Sequence, residues 1–236
     1  MYITNFERDD GFGGQYQTII FSIIYSEIVN KEFVYSPFKK MEHNYNNDLD
    51  FLDKKEKLIN ILENYKTINE VNNYDITSPE IYKIIEANID KCVEMDSFKK
   101  AKNLFFENKP RKIKEDKLNV SVHIRRANPH DNGQTYGYTG DEYFLNCLDK
   151  IRKEYKQDKI FHIYSQGNIN SFEKYKSDDT IFHLNEKLED TFYDLTTSDV
   201  LVMSKGSFSY MAGLLCDGDI YYLPFWHTKL NKWKII

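Results

Sequence analysis

The second half of the chain alternates between short apolar runs and segments with helical spacing, and this alternation limits the fold more than any other feature. We predict strands at 118–125, 159–164, 180–184, 198–203 and 219–223, and helices at 140–155, 168–175, 187–197 and 207–216. The last two strands are short apolar runs, which are typical of strands buried between helix layers. Repeated β–α units of this length predict a doubly wound, parallel α/β sheet.

The first half of the chain is richer in helices. A short strand at 1–5 leads through a glycine turn into a buried apolar helix, and a second strand follows at 31–36. Apolar residues recur at helical spacing over 48–64 and 79–106, which predicts two further helices.

A charged stretch that contains a proline, residues 108–117, separates these two patterns and is the best candidate for a linker. We therefore predict an N-terminal domain at 1–113 and a C-terminal domain at 114–236. A chain of 236 residues is long enough for this division and can bury its cores without disulfide or metal staples.

Composition excludes several classes of protein. Hydrophobic residues make up 41% of the chain, so we expect a folded rather than a disordered protein. The formal net charge of −5 gives no overall positive field that could hold nucleic acid nonspecifically. The three cysteines are widely spaced, which indicates reduced core thiols. No apolar run could span a bilayer and the N-terminus has no secretory pattern, so we expect a soluble, cytoplasmic protein without a membrane span.

Polar side chains alternate with apolar ones along the first strand of the second half. The pattern LNVSVHIRR at 118–126 places His123 and Arg125 on one face, at the carboxyl end of the strand. An arginine fork matches phosphate oxygens, so Arg125 and Arg126 suit a diphosphate. The alternative is an edge strand with one face in water, on which Arg125 pairs with a carboxylate.

A turn of serine and glycine lies between the predicted strand at 198–203 and the helix at 207–216. Gly206 can adopt a positive φ, and Ser207 or Ser209 can cap the helix and donate to an anion. This is the geometry of a phosphate cradle, although the segment taken alone is more typical of a well-capped helix.

A second glycine turn precedes the first long helix, at residues 11–14. Glycines there let the backbone approach a ligand closely, but the turn lacks the G-x-G-x-x-G spacing of dinucleotide-binding folds, and the chain has no P-loop. A tight turn into a core helix is an equally good interpretation.

Taken together, the three segments resemble the fucosyltransferase-like glycosyltransferases, the group of α-1,2-, α-1,6- and protein O-fucosyltransferases. That group has a Gly-x-Gly-Asn-Gln turn, an H-x-R-R segment that ends a strand, and a late Asp followed by a serine-rich segment with Phe-Ser. The matching segments here are 11–15, 123–126, and Asp190 with 204–209, in the same order. The resemblance implies a GT-B-like architecture of two Rossmann-like domains with parallel sheets, the N-terminal one reduced because the chain is short.

The resemblance also implies an activity, the metal-independent, inverting transfer of fucose from GDP-fucose to a glycan or glycoprotein acceptor. No cofactor is expected besides this nucleotide-sugar donor. Arg125 would neutralise the departing diphosphate with help from Arg126, and His123 would contact the nucleotide. Such a preorganised donor to the leaving group typically contributes about 3–4 kcal/mol to catalysis.

The remaining residues of the three segments complete the implied donor site. Ser207 would hold phosphate, with Ser204 and Phe208 beside it in the same segment, and Asp190 would accept hydrogen bonds from the guanine edge. From the other domain, the donor sugar would be faced by Gly13, Gly14 and Gln15.

Several positions depart from the family pattern. Ala127 and Asn128 follow the two arginines in place of Gly-Asp, Gly14 replaces the usual Asn, and the strand at 159–164 is followed by Gln166 and Gly167 in place of an acidic pair. The alternatives are therefore a related transferase that uses another UDP- or GDP-sugar, or a module that binds a nucleotide or glycan without turnover.

The general base for the acceptor hydroxyl has three candidates. Asp10 adjoins the glycine turn, and His130 and Asp131 lie in the loop after the arginines.

Two Asp-x-Asp segments, 48–50 and 217–219, look like the metal-binding motif of another transferase class. They lie at a predicted helix start and in a predicted turn, where acidic residues are ordinary, so we expect no metal site. Trp226 and Trp233 could stack on sugar rings, but we interpret both as core residues.

Overall fold

The computed structural model describes residues 1–44, 47–109, 116–126 and 138–236. The chain divides into two compact units, Met1–Pro110 and Arg111–Ile236. The predicted boundary between residues 113 and 114 lies outside the described residues, and the functional division of the two domains stays a prediction.

The N-terminal unit carries a small parallel sheet of three strands in the order β2-β1-β3. Its elements, in chain order, are β1 Tyr2–Thr4, α1 Phe12–Ile28, β2 Glu32–Phe33, α2 Phe51–Ile59, a 3-10 turn Ile68–Glu70, β3 Tyr74–Ile76, α3 Glu80–Glu86, α4 Ile89–Cys92 and α5 Asp96–Phe106.

Helix α1 forms the centre of this unit. Every residue from Phe12 to Ile24 is buried, so this helix is packed on all sides. The Thr18 hydroxyl donates to the Gly14 carbonyl at 2.9 Å and lies 2.7 Å from the Tyr82 hydroxyl, so it connects α1 with α3.

The long helix predicted at 79–106 is wrong, because three shorter helices occupy this segment. The chain leaves helical geometry at Asn88 (φ −132°) and again at Met95 (ψ 151°). Asn competes for backbone hydrogen bonds and favours helix ends. The helix predicted at 48–64 is also shorter, since Asn60 ends α2 in the left-handed conformation at φ 54°.

The C-terminal unit is a six-stranded sheet in which every described pairing is parallel. Its order is β6-β5-β4-β7-β8-β9, the order of a Rossmann sheet. Its elements are β4 Leu118–Ile124, α6 Asp141–Glu154, β5 Lys159–Ser165, a 3-10 helix Ile169–Tyr175, β6 Thr180–Leu184, α7 Leu188–Thr196, β7 Val200–Val202, α8 Ser207–Leu215, β8 Asp219–Tyr222 and β9 Lys234–Ile235.

Strand β4 lies in the interior of this sheet, between β5 and β7, so the edge-strand alternative is wrong. Its apolar face, with Val120, Val122 and Ile124 fully buried, packs on a core that includes Phe144 and Leu148 of α6. The opposite face carries His123, whose ring contacts Phe208 of α8. Helices therefore cover both faces, and the predicted fold class, α/β with two parallel sheets and a reduced N-terminal one, is confirmed.

No helix among the described residues is long and apolar enough to cross a membrane.

Candidate functional site

The strand order reverses between β4 and β7. The chain proceeds from β4 to β5 and β6 on one side, and from β7 to β8 and β9 on the other. A reversal of this kind leaves a crevice at the carboxyl ends of the two strands, where open α/β sheets hold their ligands. Two of the three segments selected from the sequence lie at these strand ends.

Ser204 ties the ends of the two strands together. Its hydroxyl donates to the His123 carbonyl at 2.5 Å and accepts from the Arg125 backbone N–H at 2.7 Å. The side chain is 1% exposed, so this hydroxyl is used within the protein. The structure therefore shows Ser204 fixing the backbone of Arg125, and its predicted contact with nucleotide stays a prediction.

Gly206 brings the Arg125 guanidinium to the start of α8. The residue has φ 136° and ψ 153°, a conformation open to glycine and strained for other residues. A Cβ added there would lie 3.2 Å from Arg125 Nη1, tighter than ordinary contact. The cation and the first N–H groups of α8, which have no acceptor within their own helix, thus lie at the same turn.

His123 is held as a neutral ring beside this turn. Its Nδ1 lies 2.5 Å from Ser209 Oγ, and Phe208 packs against the ring with centroids 5.2 Å apart. Burial, together with the charge of Arg125, lowers the pKa of His123 to about 3. Phe208 also contacts Phe192 of α7, so the two rings join α7, α8 and β4.

Ser207, the first residue of α8, has a partner that the sequence analysis missed. Its hydroxyl lies 2.9 Å from Nε2 of His227, in the segment that follows β8. Because β8 is parallel to β7, its carboxyl end lies at the same edge of the sheet, and the rule that selected the other segments could have selected this histidine too.

Unlike Arg125, whose guanidinium lies at the turn of Gly206, Arg126 binds the first residue of α6. Its Nη2 donates to Asp141, which also accepts from the Tyr175 hydroxyl at 2.7 Å. Burial opposes ionisation of Asp141, but the hydrogen bonds from Tyr175 and Arg126 outweigh it and hold the pKa of this carboxyl below its ordinary value. Arg126 Nη1 is buried and has no hydrogen-bond partner in the described part of the chain. Its assisting role stays a prediction.

Asp190 is exposed in the first turn of α7. This helix follows β6, two strands from β4, and strands are spaced about 4.8 Å apart, so the helix begins about 10 Å across the sheet from the end of β4. The contact of Asp190 with the guanine base of the donor stays a prediction.

The glycine turn of the N-terminal unit, residues 11–14, makes close contacts with other residues of the same unit. A Cβ at Gly14 would lie 2.3 Å from Asp10 Oδ2, so only glycine admits this carboxylate. Arg8 binds both carboxylate oxygens, at 2.9 and 2.5 Å. The Gln15 amide donates to the backbone carbonyls of Asp10 and Lys40 at 2.6 and 2.8 Å.

These contacts explain Gly14 and Gln15 without a ligand. Gly13 is buried in the first turn of α1. The predicted contacts of these three residues with a sugar, and of Asp10 with an acceptor hydroxyl, stay predictions. The other two candidate bases, His130 and Asp131, lie outside the described residues.

The acidic segments that look like metal motifs are engaged in ion pairs. Asp48 pairs with Lys54, and Asp219 pairs with Lys234 at 3.1 Å. Within residues 1–44, 47–109, 116–126 and 138–236, no three His, Cys, Asp or Glu side chains are grouped so that they could hold a metal ion. Trp233 is 3% exposed and belongs to the core as predicted, whereas Trp226 is 55% exposed, so its interpretation as a core residue is wrong.

Comparison with known proteins gives weak similarities. No protein-family model and no curated protein sequence matches the chain. A structure of NodZ α-1,6-fucosyltransferase soaked with GDP-fucose is 9% identical, with a TM-score of 0.46 over 91% of this chain and 92% of that one. The fucosyltransferase NodZ from Bradyrhizobium, as its selenomethionine form, is 12% identical, with a TM-score of 0.44 over the same shares of the two chains. UDP-GlcNAc 2-epimerase from Neisseria meningitidis, bound to UDP-GlcNAc, is 11% identical, with a TM-score of 0.33 over 93% of this chain and 57% of that one.

The chemistry that the C-terminal unit supports is the binding of an anion. The site offers a permanently charged guanidinium, backbone N–H groups at a helix start with their favourable dipole, and the Ser207 hydroxyl. The neutral His123 adds no charge of its own at physiological pH.

Proposed function

We propose that the chain is a glycosyltransferase that uses a nucleotide-sugar donor and binds the diphosphate of this donor in its C-terminal unit. The observation that carries the proposal is the Arg125 guanidinium against Gly206, at the open start of α8 and at the strand-order reversal. A diphosphate placed there would accept from the guanidinium fork and from the first N–H groups of the helix.

The same groups account for catalysis by charge stabilisation. When the bond between the donor sugar and the diphosphate breaks, negative charge grows on the departing phosphate oxygens. In this proposal Arg125 and the start of α8 face that charge, and the hydrogen bond from the Arg125 backbone N–H to Ser204 limits how far this strand end can move. The acceptor hydroxyl would attack from the opposite face with inversion, and Asp10 is the described candidate for its base.

GDP-fucose is the leading donor because the three sequence segments resemble the fucosyltransferase-like enzymes. The solved structures also direct the choice of probes, since NodZ was co-crystallised with GDP and, in another structure, soaked with GDP-fucose, and the epimerase was bound to UDP-GlcNAc. The acceptor in this proposal is a glycan or glycoprotein. A UDP-sugar is the alternative donor, because the residues that depart from the family pattern include groups that would read the sugar or base.

A second candidate function is a module that binds a nucleotide without turnover. Two ion pairs favour it: Arg126 is engaged by Asp141, and both oxygens of Asp10 are engaged by Arg8. A protein with these pairs in place keeps the anion site but has two of its predicted reactive groups occupied.

Calorimetric titration with GDP and UDP tests the proposal. We expect Arg125→Gln to weaken nucleoside diphosphate binding about 10- to 100-fold, since a hydrogen bond to a charged group contributes about 1.5–3 kcal/mol. The matched control is Arg152→Gln in the same unit, whose guanidinium pairs with Asp179 instead, and it should bind as the wild type does.

Release of GDP or UDP from the matching sugar nucleotides then separates the candidates. Turnover that is lost in Arg125→Gln supports the transferase, and tight binding without turnover supports the module. If the wild type and Arg125→Gln bind each nucleotide with equal affinity, the assignment of the diphosphate site to Arg125 is refuted.

A further inference from the structure

His227 is held rigidly although it lies outside regular structure. Its ring stacks on Tyr210 of α8, with centroids 4.6 Å apart and planes 25° apart, and Phe225 meets its edge at 5.5 Å. The residue is 7% exposed.

Two tyrosine hydroxyls fix the backbone of the same segment. Tyr222 donates to the His227 carbonyl at 2.6 Å, and Tyr210 donates to the Thr228 carbonyl at 2.7 Å. Neither the ring nor the main chain of His227 can therefore shift without breaking buried contacts. The 2.9 Å contact between Nε2 and Ser207 Oγ is fixed by packing on both sides.

This contact determines what the Ser207 hydroxyl can do. A hydroxyl has one hydrogen to donate and two lone pairs to accept with. If Nε2 carries a proton and donates to Ser207, the serine hydrogen is available to an anion at the start of α8. If Nε2 is instead the acceptor, the serine hydrogen is taken by the ring and Ser207 presents only lone pairs, which repel a phosphate oxygen.

We propose that His227 is a positioning residue that donates from Nε2 to Ser207 and so turns the serine hydroxyl hydrogen toward the diphosphate of the ligand. This inference rests on the proposed function, since it names how one group of that site is oriented. His227 itself touches no phosphate in this arrangement. Its contribution therefore depends wholly on Ser207, which distinguishes it from a residue that only supports the fold.

The test is a double-mutant cycle measured as GDP affinity by calorimetry. His227→Phe keeps a ring on Tyr210 but removes the donor, and His227→Gln keeps an N–H near the position of Nε2. We expect Ser207→Ala to weaken GDP binding about tenfold, which corresponds to about 1.4 kcal/mol. His227→Phe should weaken it about three- to tenfold, and His227→Gln should stay within about twofold of the wild type.

The double variant is the decisive measurement. Ser207→Ala with His227→Phe should bind GDP no more weakly than Ser207→Ala alone, and guanosine, which has no phosphate, should bind equally to all variants. Additive losses in the double variant would overturn the inference, because they would show that His227 acts independently of Ser207.

A ligand-free measurement separates this inference from the proposed function. Nitrogen-15 NMR of the histidine rings reports which nitrogen carries the proton. Protonated Nε2 in His227 supports the inference, and an unprotonated Nε2 overturns it, whether or not the wild type binds GDP. Absence of GDP, UDP and pyrophosphate binding in the wild type would refute the proposed function, on which this inference rests, whereas an unprotonated Nε2 would overturn the inference and leave the proposed function standing.

Discussion

At the scale of single residues, the site contains one permanent charge and one histidine that is kept uncharged. Ser209 Oγ accepts from the Ser204 backbone N–H at 3.3 Å and lies 2.5 Å from Nδ1 of His123, so the same hydroxyl contacts both strand ends. Keeping this ring neutral leaves Arg125 as the only cation of the pair and avoids repulsion between the two side chains.

The neutral His123 predicts a stability that depends on pH. Unfolded histidine takes up a proton near pH 6.5, whereas the pKa of His123 in the folded protein is lowered to about 3. Between these values the unfolded state binds the extra proton, so stability is present above about pH 6.5 and is lost as the pH falls. We expect a loss of roughly 1 kcal/mol per pH unit from this residue.

Urea unfolding between pH 7 and pH 4 measures this effect by comparing the wild type with His123→Gln, which cannot titrate. The free energy of unfolding should fall more steeply with pH in the wild type. Parallel pH profiles of the two proteins would contradict the assignment of a neutral ring.

At the scale of elements, the site depends on how the ends of β4 and β7 are joined. The two strands pair in register from Val120 with Val200 to Val122 with Val202, and Ser204 continues their connection beyond the last paired residues. Because the start of α8 comes three residues later, this connection sets the distance between the guanidinium and the helix.

Removal of the Ser204 hydroxyl should weaken the connection between the ends of β4 and β7. We expect Ser204→Ala to lower the free energy of unfolding by about 1–3 kcal/mol, since it leaves a backbone donor and acceptor without their partner. GDP binding should weaken as well, because Arg125 loses its fixed backbone. The control is Ser171→Ala, at an exposed position, which should change stability by less than about 0.5 kcal/mol. An unchanged unfolding midpoint in Ser204→Ala would contradict this role.

The elements that the sequence predicted well are those with strong local patterns. Strands β4 to β8 are apolar or alternate cleanly, and the helices between them have regular spacing, so each was placed within about two residues. Strand β3 was missed because Tyr74–Ile76 is three residues long and exposed throughout, and β9 was missed because Lys234–Ile235 is two residues long. The 3-10 helix at Ile169–Tyr175 replaced a predicted α-helix, with a kink at Phe172.

The side-chain partners of the site were harder to predict than its location. The rule that ligands bind beyond strand ends located the turn of Arg125 and Gly206 from sequence alone. The engagement of Arg126 by Asp141, and of Ser207 by His227, depends on residues 15 and 20 positions away that folding brings together. No local pattern records such pairs.

At the scale of the whole molecule, each unit has its own parallel sheet and its own buried core. The described groups of the proposed diphosphate site, namely Arg125, Ser204, Gly206, Ser207 and His227, all belong to Arg111–Ile236. Affinity for the diphosphate should therefore be a property of this unit.

A fragment of residues 111–236 tests that expectation. We expect it to fold, with the circular dichroism of an α/β protein, and to bind GDP within about threefold of the full chain while showing no sugar transfer. A folded fragment without GDP affinity would contradict the assignment and would show that the N-terminal unit supplies an essential group.

The two-residue strand β9 has a consequence for the Ser207 hydroxyl. It pairs with Tyr221 and Tyr222, and the adjacent Trp233 packs against Tyr210 and Tyr222 at 5.6 and 5.8 Å. The hydroxyls of Tyr222 and Tyr210 in turn donate to the backbone carbonyls of His227 and Thr228. We therefore expect substitutions at 233–236 to reach the Ser207 hydroxyl indirectly, through the contacts of these aromatic rings with the segment of His227.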